Sequence, residues 1–128
     1  MSSSAALRLQ ACFTAVGLDT LIPPAVRFSA EDSLPVPTSK PDPAVYRLAG
    51  QRLGIGGGQG LAVEDSVPGV MSAVAAGFPT VGNLMFVPGS ERAVRTLQLR
   101  EAGVCAVIDS WWQLDGLIGC ASSVAARG

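Results

Sequence analysis

Lys40 is the only lysine among 128 residues, and it stands in Lys40-Pro41-Asp42-Pro43. A lysine held between an irregular loop and a helix started by proline is a positioned cation, suited to a phosphate or to a paired carboxylate. The plainer reading of the same residue is a solvated loop lysine. Glu64-Asp65-Ser66 follows the apolar run Leu61-Ala62-Val63. Two adjacent carboxylates at a strand end can hold a hard divalent cation such as Mg²⁺, although acidic residues also favour helix N-termini for dipole reasons. Ser2-Ser3-Ser4 before a helical pattern can bind an anion through hydroxyls and backbone amides; its plainer reading is an N-cap.

Histidine is absent from the chain. That excludes a Ser-His-Asp triad, a Cys-His pair and any histidine-ligated metal, and leaves carboxylates, hydroxyls, one lysine and backbone amides to carry chemistry. Nine Lys and Arg against ten Asp and Glu give a net charge of -1, so nothing points to nucleic acid or a membrane surface. Hydrophobic residues make up 48% and charged residues 15%, the balance of a packed domain rather than a disordered tail. Gly, Pro or charge interrupts every apolar stretch well before the span of a transmembrane helix. The start Met1-Ser2-Ser3-Ser4 carries neither a basic region nor an apolar run, so no secretory leader is expected. Cys12, Cys105 and Cys120 are odd in number and far apart, which reads as incidental thiols in a reducing cytoplasm.

The elements that must position these groups follow from periodicity. Ala6, Leu9, Phe13 and Val16 repeat at helical spacing before Gly17, and Val26 to Ser29 alternates as a short strand. Pro35, Pro37, Pro41 and Pro43 enforce an extended loop. Asp42-Pro43 reads as an N-cap with proline at the first helical position, and the helix carries Val45, Leu48, Ala49 and Leu53 to a stop at Gly54. Ile55 and the glycines 56–58 make a flexible connection. Leu61 to Val63 is a strand, after which Ser66 caps a helix with Pro68 in its first turn. Gly69, Ala73 and Ala76 give that helix a face small enough to pack closely, and Gly77 ends it. Thr80-Val81-Gly82 is a further strand, Ser90 caps a helix running to about Ala102, Val104 to Ile108 is another strand, and Trp111 to Leu117 a last helix. Alternation of this kind predicts an α/β fold with a mostly parallel sheet and helices on both faces. Ligands of such sheets bind beyond the carboxyl ends of the strands, where Glu64 and Asp65 fall.

In order, the serines open a helix, a strand runs into Ser29-Ala30-Glu31-Asp32, Lys40-Pro-Asp-Pro-x-x-Tyr46 begins the next helix, and Val63-Glu64-Asp65-Ser66-x-x-Gly69 follows, ending in Ala75-Ala76-Gly77. This resembles the haloacid dehalogenase superfamily, in its phosphatase and β-phosphoglucomutase-like branch, from Ser2 to about Leu117. The resemblance implies a Rossmann-like three-layer core and Mg²⁺-dependent phosphoryl transfer on a small phosphorylated metabolite. It puts Ser2 on the transferred phosphoryl group, with the Ser3 amide beside it. Lys40 takes the place of the lysine that ties the phosphate to the nucleophilic aspartate, and Glu64 and Asp65 those of acids that help hold Mg²⁺.

The family's first motif, Asp-x-Asp-Gly, has no counterpart, since no Asp-x-Asp occurs in the sequence. The expectation is therefore an incomplete core, residues 1–118, without its central nucleophile strand and substrate-selecting cap. A frayed tail, 119–128, would follow. Two readings result. One is a phosphohydrolase or phosphosugar mutase fragment that is inactive by itself and either self-associates through exposed sheet edges or needs the absent half to fold. The other is a non-catalytic module that binds phosphate, a metal or a protein.

Overall fold

The computed structural model describes Leu34 and residues 39–117, with 1–33, 35–38 and 118–128 outside the description. The expected first helix, the Val26–Ser29 strand, Ser2, Ser3 and the tail therefore lie outside the described residues. Within them the order is helix α1 (Ala44–Leu53), strand β1 (Ala62–Glu64), helix α2 (Val67–Ala75), strand β2 (Thr80–Asn83), helix α3 (Arg92–Ala102) and strand β3 (Ala106–Ile108). Residues 111–117 are again helical. The three strands form one parallel sheet in the order β1-β2-β3. This is a small, incomplete, open α/β core of the Rossmann-like kind, and its parallel strands bring all three carboxyl ends to one edge. Among the described residues no helix is long and apolar enough to cross a membrane.

The sheet's register decides which side chains meet the helices. Ala62 pairs with Thr80, Glu64 with Gly82, and Gly82 with Val107, so these residues share one face. On that face Ala62 packs with Val45, Tyr46, Ala49 and Ala73, joining α1 and α2. Val70, Leu84, Val87 and Leu99 make the second cluster, joining α2 to α3. The middle strand β2 is buried at all four positions, as expected of a parallel strand with neighbours on both sides. Gly82 lets α3 approach: a Cβ there would meet Leu99 Cδ1 at 2.9 Å.

Several boundaries differ from the sequence reading. The cap of α1 falls on Pro43, although Asp42 Oδ1 still accepts a hydrogen bond from the Ala44 amide at 2.8 Å. Its buried face is Val45, Tyr46, Ala49 and Gly50, while Leu53 is 50% exposed. The helix turns Tyr46 inward, and Leu53 is left at the mouth of a cavity of about 240 Å³ with Ile55, Leu61 and Phe78. The glycine connection contains a 3₁₀ turn, Gly57–Gln59, in which Gln59 Oε1 accepts from the Gly56 amide. Ser90 does not cap α3. It lies inside a second 3₁₀ turn, Gly89–Glu91, and the helix begins at Arg92. Ser66 does cap α2, accepting from the Gly69 amide at 3.2 Å, and Gly54 and Gly103 end α1 and α3 in the left-handed conformation.

Leu99 is fully buried against Gly82, so Leu99→Ala is expected to cost about 2–5 kcal/mol in denaturant unfolding. Gly82→Ala, destabilising in the native background, is expected to cost measurably less once Leu99 is Ala, because the added methyl then has room.

Candidate active site at the carboxyl edge of the sheet

Glu64 ends β1 with its side chain on the helix face, and it is 7% exposed. A carboxylate so enclosed must be matched by charge and hydrogen bonds. Two donors converge on the same oxygen. Lys40 Nζ donates to Glu64 Oε1 at 2.5 Å, and the Tyr46 hydroxyl donates to that atom too. The ammonium also lies 5.8 Å from the centre of the Tyr46 ring. The other oxygen packs on α2, where Oε2 would be 2.1 Å from a Cβ at position 69. Only glycine fits beneath this carboxylate.

The cation comes from a built turn. The Lys40–Pro41 peptide is cis, the Asp42 amide donates to the Ser39 carbonyl at 3.0 Å, and Ser72 Oγ donates to the Asp42 carbonyl at 2.6 Å. Lys40 itself is 15% exposed. Sequence and structure thus bring Lys40 and Glu64 together across 24 residues.

Asp65, the next residue, is exposed, and its main-chain carbonyl accepts from Arg95 Nη1 at 2.9 Å. Strand geometry separates the two acids: the first is committed to Lys40 and Tyr46, the second stands at the open edge. The Asp65 carboxylate is the hard oxygen donor that Mg²⁺ takes, and this ion is commonly held by one or two carboxylates with phosphate and water completing its shell. Among the described residues no group of three acidic or thiol side chains gathers. With Glu64 taken up by Lys40 and Tyr46, Asp65 is the carboxylate at this edge that a magnesium ion could use. Further along the edge Arg92 donates to the Val87 carbonyl and lies 3.9 Å from Asp109.

Tyr46, Gly69, Ser72 and Arg95 are contributors that motif reading did not assign to the site. Tyr46 carried a usable signal, because a tyrosine on an otherwise apolar helix face needs a partner for its hydroxyl. Ser72 carried a weaker one, as a hydroxyl among small residues in a helix interior.

Burial, with the hydrogen bond and charge of Glu64 beside it, raises the Tyr46 phenol well above its ordinary value of 10.0. The folded state therefore holds this proton more tightly than the unfolded chain. The resulting stabilisation is complete below about pH 10 and is lost as pH rises beyond it. Tyr46 is the only tyrosine, so phenolate absorbance is expected to stay flat through pH 10 in folded protein and to appear with unfolding. Tyr46→Phe should flatten the alkaline limb of stability. Gly69→Ala is expected to lower the denaturation midpoint, although the same change in an open helix gains about 1 kcal/mol. The added methyl must displace Glu64 from its donors, and a raised midpoint would show that the carboxylate does not rest there.

No family model matches the chain. A CbbY-like protein of Arabidopsis thaliana is 46% identical over 46 residues, which is 36% of this chain and 14% of that protein. Among solved structures, a haloacid dehalogenase-like protein of Agrobacterium tumefaciens superposes with a TM-score of 0.80 at 29% identity, covering 94% of this chain and 52% of its own. A haloacid dehalogenase family hydrolase of Deinococcus radiodurans, with bound phosphate and sodium, gives 0.69 at 28% identity, covering 94% and 50%. The chain thus spans about half the length of these solved structures. In fold the chain is similar to the haloacid dehalogenase hydrolases and corresponds to the C-terminal part of their core.

Proposed function

We propose that this chain carries the phosphate-facing and metal-facing half of a phosphohydrolase or phosphosugar mutase site. The observation that supports this reading is the Lys40–Glu64 pair, built into the carboxyl edge of a parallel sheet with an exposed acid, Asp65, next to it. An ammonium fixed by a buried carboxylate keeps its position when an anionic ligand arrives. It neutralises charge on a phosphoryl oxygen without first being ordered. Glu64 orients that ammonium, Tyr46 holds Glu64, and Arg95 fixes the main chain that presents Asp65. Mg²⁺, when bound, supplies further neutralisation of phosphoryl charge, and Asp65 is the residue that would hold it, with Glu64 behind. Ser2 and Ser3 complete the phosphate contacts in this reading, and the substrate is a small phosphorylated metabolite of the cytoplasm.

The absence of Asp-x-Asp favours a second reading, in which these residues bind phosphate without turning over an ester. An aspartyl nucleophile of the family's kind is not among the 128 residues, and Lys40 cannot replace it while paired with Glu64. Both readings predict phosphate binding, and they differ in whether turnover appears once the chain is combined with a segment that carries Asp-x-Asp-Gly. Lys40→Met is expected to weaken binding of inorganic phosphate by about tenfold or more, the weight of one charge-assisted hydrogen bond. Titration followed by phosphorus NMR would measure this. Absence of phosphate binding by the native chain would overturn both. Mg²⁺-dependent hydrolysis of a phosphate monoester by that combination, abolished by Asp65→Asn, would decide for the first reading, and the same hydrolysis by the chain alone would overturn the expectation that it is inactive by itself.

A further inference from the structure

Ser72 lies in the middle of α2 and is fully buried. A helical serine usually turns its hydroxyl back to a carbonyl of its own helix. This one reaches out of α2 instead, to the Asp42 carbonyl 30 residues away. Asp42 closes the turn that begins at Ser39, and it presents its own carboxylate to the first amide of α1. The turn bearing Lys40 is therefore held to α2 by the hydroxyl of Ser72. The same helix also supplies Gly69, on which the Glu64 carboxylate rests. One helix consequently fixes both members of the ion pair, Glu64 through close packing at Gly69 and Lys40 through the hydrogen bond from Ser72.

We propose that Ser72 is a positioning residue for the phosphate site, acting through the Asp42 carbonyl to hold the Lys40 turn in register with Glu64. This rests on the phosphate-binding reading for its purpose, but the linkage itself is independent of any ligand. Without the hydroxyl, the Asp42 carbonyl loses its contact with α2 and the turn gains freedom, so the ammonium spends more time away from Glu64. Alanine keeps α2 helical at this position. Cysteine keeps the shape of serine with a somewhat larger terminal atom but donates poorly.

Because Lys40 is the only lysine, an amine-reactive reagent reports on it directly when the Lys40 peptide is followed by mass spectrometry. In the full chain, Ser72→Ala and Ser72→Cys are each expected to raise the Lys40 labelling rate by about threefold to tenfold, the weight of one ordinary hydrogen bond. Amide hydrogen exchange in α2 and β1 is expected to stay as in the native chain. Labelling that does not change overturns the proposal. So does labelling that rises only together with exchange throughout α2 and β1, because Ser72 would then serve general stability. Inorganic phosphate titrated into the same proteins is expected to bind the two variants more weakly by a similar factor, and equal binding overturns the role in the site. A native chain that binds no phosphate overturns the functional reading instead, while the labelling still decides whether Ser72 holds Lys40.

Discussion

The burial of the Glu64 carboxylate is the constraint on which the rest of the described structure turns. An acid at the end of a parallel strand, facing a layer of helices, would cost several kcal/mol if left without partners. Its surroundings answer that cost in specific ways. Lys40 supplies the charge and Tyr46 a second donor on the same oxygen, while Gly69 supplies the space. Each of the three belongs to a different local feature: a proline-bounded turn, the buried face of α1, and the first turn of α2. The ion pair therefore ties together the segments that enclose it. The core between α1, β1 and α2 is built from Val45, Tyr46, Ala49, Ala62 and Ala73, with Leu48 and Phe78 packed against it.

The sequence was legible where local chemistry decides the outcome. Ser66 with Pro68 started a helix, Gly54 ended one, and the alternation of short apolar runs with helical segments indicated parallel strands whose carboxyl ends share an edge. The order of the motifs put Lys40 and Glu64 at one site but in different roles, and their direct ion pair was not legible there. Lost to it were contacts that depend on how elements are rotated against each other. Periodicity placed Leu53 on the buried face of α1, but the helix is turned toward Tyr46 and Gly50, and Leu53 stands at a cavity mouth. Ser90 had the chemistry of a cap, but the 3₁₀ turn from Gly89 to Glu91 moved the helix start beyond it. The partnership of Ser72 with Asp42 spans 30 residues and two elements, and no spacing rule relates them.

Adjacent acids are often treated as one feature, but the pleat of the strand gives Glu64 and Asp65 different physical lives. Glu64 sits on the face that β1 shares with Gly82 and Ala62, where Lys40 and Tyr46 meet one of its oxygens and the other lies over Gly69. Asp65 follows the last residue of the strand, exposed, with its carbonyl held by Arg95 from α3. A cation or a phosphorylated ligand arriving from solvent would meet Asp65 before Glu64. The enclosed acid is suited to holding a lysine still, and the exposed one to meeting what arrives. Exchange of the two side chains would bury the shorter acid, whose carboxylate falls one methylene short of Lys40 and Tyr46, and would leave the longer one with more rotamers at the edge. The order Glu-Asp rather than Asp-Glu is thus a consequence of reach: the inner acid must span from β1 to both α1 and the Lys40 turn, and the outer one needs only to stand where the strand ends.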